Sequence, residues 1–329
     1  MPDERGGGAA RDEGSYRPGP VMVIGGAEDK LRDRVILARF VGLAGGSDGH
    51  IVVISTASEL GDAATEFYQE LFRVMGAGRL SGLRPLTRDE ANADDVAALL
   101  ADATGVFLTG GNQLRLSSVV GGTKLGAAIL DAHERGVVVA GTSAGASAVS
   151  THMVAFGSSG ATPKHRMVHM SAGLGLLSNV VIDQHFEQRN RIGRLLAVVA
   201  QSPALVGIGL DEDTAAVVYG DERLEVLGRG AVTIVDGSNV VTDAFRTKGY
   251  RPMMVSGAVI HSLPSGYSFD LRSRVVLQAG DHAADRKARE AVRPIRGKLR
   301  EMARQLAAEG ADSRAPERRR RREEREASS

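Results

Sequence analysis

An apolar, β-branched run, Gly136-Val137-Val138-Val139-Ala140, stops at Gly141-Thr142-Ser143-Ala144-Gly145 and passes into the small, helix-compatible residues Ala146-Ser147-Ala148-Val149. That order reads as a strand, a sharp turn and a helix, the arrangement called a nucleophile elbow. Such a turn holds its serine in a backbone conformation that L-residues rarely adopt, with the hydroxyl projecting above the sheet. A Cβ at either flanking glycine would crowd the helix or an incoming carbonyl. The pentapeptide by itself equally fits a Gly/Ser-rich loop without chemistry, so partners elsewhere in the chain decide between the two.

The surrounding sequence repeats the same alternation. Val21–Ile24 reads as a strand and Leu31–Phe40 as a helix, Ile51–Ile54 as a strand and Ala63–Met75 as a helix with apolar residues at helical spacing. Val96–Ala103 is a further helix, followed by a strand from Gly105, a helix over Leu125–Glu134 and the elbow strand. This rhythm predicts an α/β fold with a doubly wound, mostly parallel sheet flanked by helices. Beyond residue 212 the runs shorten to Ala215–Tyr219, Leu224–Leu227, Ala231–Val235 and Val240-Val241, separated by turns such as Gly220-Asp221 and Asp236-Gly237. These predict antiparallel hairpins that extend one edge of the sheet, with no boundary that demands a second domain.

A serine hydroxyl is a weak nucleophile near neutral pH and needs a base within hydrogen-bond reach, usually aligned by an acid. Of the eight histidines, His185 stands at the end of a strand-like run, Asn179–Gln184, and just before a helical pattern from Glu187 to Ala200. Sites in open α/β sheets gather at such carboxyl ends of strands. A third run, Leu205–Leu210, ends in Asp211-Glu212-Asp213. Three strand ends thus carry a serine, a histidine and acids, with Asp183, Asp211 and Asp213 standing as rivals to Glu212. Acyl transfer also needs donors for the developing oxyanion. The strand from Gly105 leads into Gly110-Gly111, where bare backbone N–H groups can approach a ligand, and Gly111 with Ala144 forms a candidate oxyanion hole.

Five segments resemble the cyanophycinases: Gly25-Gly26-Ala27-Glu28-Asp29-Lys30, Thr109-Gly110-Gly111-Asn112-Gln113, Gly141–Ala146, Asp183–Arg191 and Gly209–Ala215. Those are serine peptidases related to aspartyl dipeptidases, on a flavodoxin-like fold shared with class I glutamine amidotransferases. The resemblance runs in order from about Pro20 to about Gln278. It implies Ser143 as nucleophile, His185 as base and Glu212 as orienting acid. It also implies substrate contacts from Gln113, Asp183, Gln184, Arg189, Arg191 and Arg194. The order Ser, His, Glu departs from the Ser, Asp, His order of α/β-hydrolases. The implied substrate is cyanophycin, a poly-aspartate whose side chains carry arginine through isopeptide bonds, hydrolysed to β-Asp-Arg dipeptides. Guanidinium forks suit its carboxylates, and acidic or amide groups suit its arginines. At about 100° per residue a helix would place Arg191 and Arg194 on neighbouring faces and turn Arg189 elsewhere. The resemblance further implies a homodimer.

Composition removes several other classes. With no cysteine, the elbow cannot carry the thiolate that a glutamine amidotransferase of this fold would use, and cysteine-built zinc sites are excluded. His165 and His169 stand at i, i+4, but Pro163, Met167 and Met170 around them suggest a loop near the pocket, and no metal is expected. Gly25-Gly26 lacks both the third glycine of a dinucleotide fingerprint and the Lys-Ser/Thr of a P-loop, so no cofactor is expected. Glu28 and Lys30 read as helix-start charges. No apolar stretch approaches the roughly 20 residues of a membrane span, and residues 1–20 lack the apolar region of a secretory signal, so a cytoplasmic enzyme without membrane contact is expected.

Residues 1–18 are expected as a disordered tail, 19–280 as the peptidase-like domain and 281–329 as a charged, helical or disordered tail. The last contains five consecutive arginines, Arg318–Arg322, interleaved with acids. Interleaving favours a solvated end over a nucleic-acid-binding one. Two competing functions stay open: an aspartyl dipeptidase acting on short Asp-X peptides, and a non-catalytic granule- or nucleic-acid-binding protein on the same scaffold.

Overall fold

The computed structural model describes residues 18–277 apart from 221; the expected tails and part of the Gly220-Asp221 turn lie outside the described residues. Strand β1 (Val21–Ile24) leads to helix α1 (Val35–Leu43), β2 (His50–Ile54) to α2 (Asp62–Val74), and β3 (Arg79–Leu83) to the short α3 (Arg88–Ala91) and α4 (Asp94–Ala98). Strand β4 (Gly105–Leu108) is followed by α5 (Gln113–Val120) and α6 (Lys124–Glu134), and β5 (Val138–Thr142) by α7 (Ala144–Ala148). A hairpin of β6 (His152–Gly157) and β7 (Val168–Ala172) precedes β8 (Val180–Gln184), α8 (Ile192–Gln201) and β9 (Val206–Leu210). The chain continues through β10 (Thr214–Val218), β11 (Arg223–Gly228), β12 (Ala231–Asp236), β13 (Val241–Thr242), β14 (Val255–Ser256), β15 (Val259–Pro264), β16 (Ser268–Asp270) and β17 (Val275–Leu277).

Nine strands form the main sheet in the order β17-β16-β11-β10-β1-β5-β4-β2-β3. From β1 to β3 every pairing is parallel, as the strand-helix rhythm requires; from β1 outward through β10 to β17 every pairing is antiparallel. Alternation of side chains splits the apolar residues of the parallel half between two cores. Met22, Ile24, Ile51, Val53, Phe107 and Val138 face α1 and α2, where Phe40, Tyr68, Phe72 and Phe107 pack their rings together. Val21, Val23, Val52, Ile54, Val106 and Val139 face α5, α6, α7 and a second sheet. That second sheet has the order β15-β12-β9-β8, with β8 and β9 parallel.

Here the architecture departs from the sequence expectation. Strands β10 and β11 do extend the edge of the main sheet, but β12 leaves it and pairs with β9, so β8 and β9 belong to a separate layer. The physical reason is edge pairing: β9 is buried throughout, so both of its edges need hydrogen-bonding partners, β8 on one side and β12 on the other, with Ile208 opposite Ile234 and Leu210 opposite Val232. Two helices also start later than their periodicity suggests. The Asp29 carboxylate collects the N–H groups of Leu31, Arg32, Asp33 and Arg34, folding that stretch into a turn ahead of α1. Residues 185–191 likewise form turns, with Asn190 at φ 48°, before α8 begins. Among the described residues no helix is long and apolar enough to cross a membrane.

Candidate active site

Ser143 sits between β5 and α7 at φ 52° and ψ −110°, a region that non-glycine residues enter only when their surroundings over-determine it. The flanking glycines make the turn possible. A Cβ on Gly141 would lie 2.4 Å from the carbonyl of Gly145, and one on Gly145 would lie 2.4 Å from the Leu108 oxygen on β4. The Ser143 N–H donates to Ile24 O at 2.9 Å, fastening the turn to the end of β1.

His185 follows β8, also at positive φ (48°), and its N–H donates to Gly25 O at 2.9 Å. Its Nε2 lies 2.9 Å from Ser143 Oγ and its Nδ1 lies 2.6 Å from Glu212 Oε1. With Nδ1–H donated to the carboxylate, Nε2 is left to accept the serine proton, the tautomer a general base requires. Gly26 passes directly beneath the imidazole: a Cβ there would come within 2.4 Å of His185 Cε1. Burial pushes the imidazole below its ordinary pKa; the Glu212 hydrogen bond opposes this, and the charges of Arg189 and Arg191 add to the lowering. A neutral, proton-accepting ring at neutral pH follows.

The rival acids are occupied elsewhere. Asp211 accepts the N–H groups of Glu187 (3.1 Å) and Ala231 (3.0 Å), and Asp213 accepts the N–H of Asp29 at 2.8 Å. Glu212, between them, turns to the histidine, and its own N–H donates to Gln188 Oε1 at 2.9 Å. Gln188 had no role assigned from sequence; its position three residues after His185 is the one hint available.

The Gly110-Gly111 bend abuts the serine. A Cβ on Gly110 would stand 3.3 Å from Ser143 Cβ, and Gly111, at φ +140°, approaches Ala57 so closely that a Cβ would meet its oxygen at 1.9 Å. Asn112 donates its N–H to Ala57 O at 2.9 Å and caps α5 with its side chain, locking the bend. Ala144 is the first residue of α7, where a backbone N–H has no intrahelical acceptor.

The residues expected to bind substrate divide sharply. Asp183 (1% exposed) lies under the site, ion-paired with Arg191 (7%) and Arg194 (3%). Arg194 Nε donates to Asp183 Oδ2 at 2.5 Å, Arg191 Nη1 donates to Asp183 Oδ1 and Gln184 Oε1 at 3.1 Å each, and Arg191 also bonds the Gln184 carbonyl. Burial pulls the Arg191 guanidinium down to about 10, against the opposing pull of Asp183, which leaves it charged at neutral pH. Asp183, Gln184, Arg191 and Arg194, expected as substrate contacts, are thus all buried and bonded to one another. Their charges are paired with one another, because a buried guanidinium without a carboxylate is far costlier than one with it. Arg189 alone of the three arginines is exposed. Gln113 is half-buried and donates from Nε2 to Ala155 O at 2.6 Å and Val154 O at 3.2 Å on β6. His169 lies on β7 stacked on Phe156, ring centroids 4.3 Å apart, whereas His165 precedes that strand and donates its N–H to Arg251 O at 3.1 Å.

Comparison with known proteins assigns the chain to a family. The model of Peptidase family S51 matches residues 21–226, and the chain belongs to that family. It is a serine-type peptidase by class. A cyanophycinase of Trichormus variabilis is 44% identical over 262 residues, covering 79% of this chain and 88% of the relative. A cyanophycinase of Geminocystis herdmanii is 39% identical, covering 78% and 96%. Among solved structures, a peptidase from an acI-B1 Actinobacterium superposes with a TM-score of 0.58 at 22% identity over 78% of this chain and 98% of that one, a likeness of fold.

Proposed function

We propose that this chain hydrolyses cyanophycin as an exopeptidase, releasing β-Asp-Arg dipeptides through an acyl-enzyme on Ser143. The observation that carries the reading is the unbroken relay from Ser143 Oγ to His185 Nε2 (2.9 Å) and from His185 Nδ1 to Glu212 Oε1 (2.6 Å). Relatives named as cyanophycinases over most of the chain support the choice of polymer.

In this mechanism His185 removes the Ser143 proton as Oγ attacks the aspartyl carbonyl, and Glu212 stabilises the imidazolium that forms. The N–H groups of Gly111 and Ala144 receive the oxyanion, which bears full charge only in the tetrahedral intermediate and is therefore favoured there over the ground state. The imidazolium then protonates the leaving amine, and a water molecule, activated by the same ring, discharges the ester. Exposed Arg189 and the free carbonyl oxygen end of the Gln113 amide are the groups left to meet the carboxylates and guanidinium of the polymer. A homodimeric state and a cytoplasmic location complete the proposal.

The test is incubation of the purified protein with cyanophycin and with Asp-X dipeptides, following dipeptide or amino-acid release for wild type and Ser143→Ala. Release of β-Asp-Arg by wild type alone is expected. Release only from Asp-X peptides would transfer the chain to the dipeptidases, and no release from either would remove the peptidase reading. Light scattering on the same preparation reads the oligomeric state.

A further inference from the structure

We infer that Glu28 is a positioning residue for the nucleophile, acting on Ser143 through the hydroxyl of Thr142; this rests on acyl transfer at Ser143. From sequence Glu28 looked like a helix-start charge, which would sit in solvent. Instead Ala27 takes a positive φ of 50°, and the chain turns Glu28 inward until it is 3% exposed. Its carboxylate is fully engaged. Oε1 accepts from Tyr68 Oη at 2.7 Å and from Lys30 Nζ at 2.9 Å, and Oε2 accepts from Thr142 Oγ1 at 2.7 Å. Burial by itself would raise the pKa of this group, but the Lys30 charge and the hydrogen bonds of Tyr68, Lys30 and Thr142 outweigh it and hold the carboxyl below its usual range.

A buried carboxylate costs several kcal/mol of lost hydration, and an apolar side chain would fill the space beneath α2 without that cost. What the carboxylate adds is a directional, charge-assisted bond to the residue immediately before the serine. Thr142 is the last residue of β5, and anchoring its side chain constrains the peptide plane that Ser143 needs for its strained conformation. The same short loop reaches the other members of the relay. Gly25 O accepts the His185 N–H, Gly26 O accepts the Asp213 N–H at 2.9 Å, and Asp213 in turn accepts the Asp29 N–H. Residues 25–29 thus tie the strand ends carrying Ser143, His185 and Glu212 to one another, and Glu28 supplies the tie to the nucleophile.

The experiment measures the rate at which a fluorophosphonate labels Ser143, which reads nucleophile competence independently of substrate, together with kcat and KM on cyanophycin and the thermal unfolding midpoint. Labelling of wild type but not of Ser143→Ala establishes the nucleophile; no labelling of wild type overturns the acyl-transfer reading and this inference with it. Given labelling, Glu28→Gln and Thr142→Val should each slow it on the order of 10-fold to 100-fold, the size of a small misplacement of a reacting group, lowering kcat with KM little changed. Thr142→Ser, which keeps the hydroxyl, should stay close to wild type, and Glu28→Gln/Thr142→Val should be no slower than the slower single variant. Wild-type labelling by both single variants would overturn the inference while leaving the peptidase reading intact. So would multiplicative effects in the double variant, or Thr142→Ser as slow as Thr142→Val. If Glu28→Gln fails to fold, the Thr142 pair carries the same decision. A purely structural role would lower the unfolding midpoint and leave the labelling rate of the folded protein unchanged.

Discussion

The proposed nucleophile and its two proposed helpers come from layers built in different ways. Ser143 ends a strand flanked on both sides by parallel neighbours, β1 and β4, inside the nine-stranded sheet. His185 and Glu212 follow β8 and β9 of the four-stranded sheet, where β8 is an outer strand. The serine turn has room because of Gly141 and Gly145, and it is fastened within the main sheet and its loops by Ser143 N–H on Ile24 O and Thr142 on Glu28. The histidine owes its geometry to distant residues, resting on Gly26 and bonded to Gly25, both from the first strand's loop. Support of the Ser143 turn thus stays within the main sheet and its loops, whereas alignment of His185 depends on how two layers meet.

This contrast can be broken or sharpened by substitution. The largest effect belongs to the local side: Ser143→Ala should reduce cyanophycin hydrolysis by about 10⁴-fold or more without lowering the unfolding midpoint. On the other side, Glu212→Gln should cost on the order of 10³-fold to 10⁴-fold in kcat, the scale seen when a triad loses its orienting carboxylate. Asp183→Asn, which leaves Arg191 and Arg194 buried without their counter-charge, should lower stability by about 3–5 kcal/mol in chemical denaturation. If it instead leaves stability intact and raises KM alone, Asp183 serves substrate rather than the two arginines.

Gly26→Ala tests the joint between the layers. Its Cβ would come within 2.4 Å of the imidazole, so kcat should fall by about 10²-fold while fluorophosphonate still reaches the serine slowly. The smallest effect is a shift in pH dependence. The acid limb of kcat/KM reports protonation of the free enzyme's base. Because His185 is depressed, the active neutral ring should persist below the ordinary histidine value of about 6.5. Arg189→Ala removes a positive charge that lowers this pKa, so the limb should move up in pH. Glu212→Gln removes a group that raises it, so the limb should move down. Opposite signs in the two variants are the result that matters; a shared direction would refute the assignment of His185 as the titrating base.

How much of this was legible in the chain follows from where each constraint is written. The elbow was readable because glycines at positions 141 and 145 are the local signature of a crowded turn. His185 and Glu212 were readable as residues just past apolar runs, and their ordered agreement with a family separated Glu212 from three neighbouring aspartates. The pairing of Arg191 and Arg194 with Asp183 was not readable, because a charged residue looks the same in sequence whether its partner is a ligand or a side chain eight or eleven residues away. Glu28 was missed for a related reason: its inward turn depends on the positive φ of Ala27, and its partners Tyr68 and Thr142 are remote in the chain. The destination of β12 was equally hidden, since an alternating apolar strand suits any half-covered neighbour.

The sequence by itself determined the parallel half of the main sheet, the place of the elbow serine and the absence of any thiol to replace it, because strand periodicity, glycine crowding and residue chemistry act over a few neighbouring positions. Only the tertiary structure decided that Arg191 and Arg194 are buried against Asp183, and that Glu28 turns inward onto Thr142. Those outcomes are settled by desolvation and hydrogen-bond pairing between segments far apart in the chain, and such pairings exist only once the two layers have closed on each other.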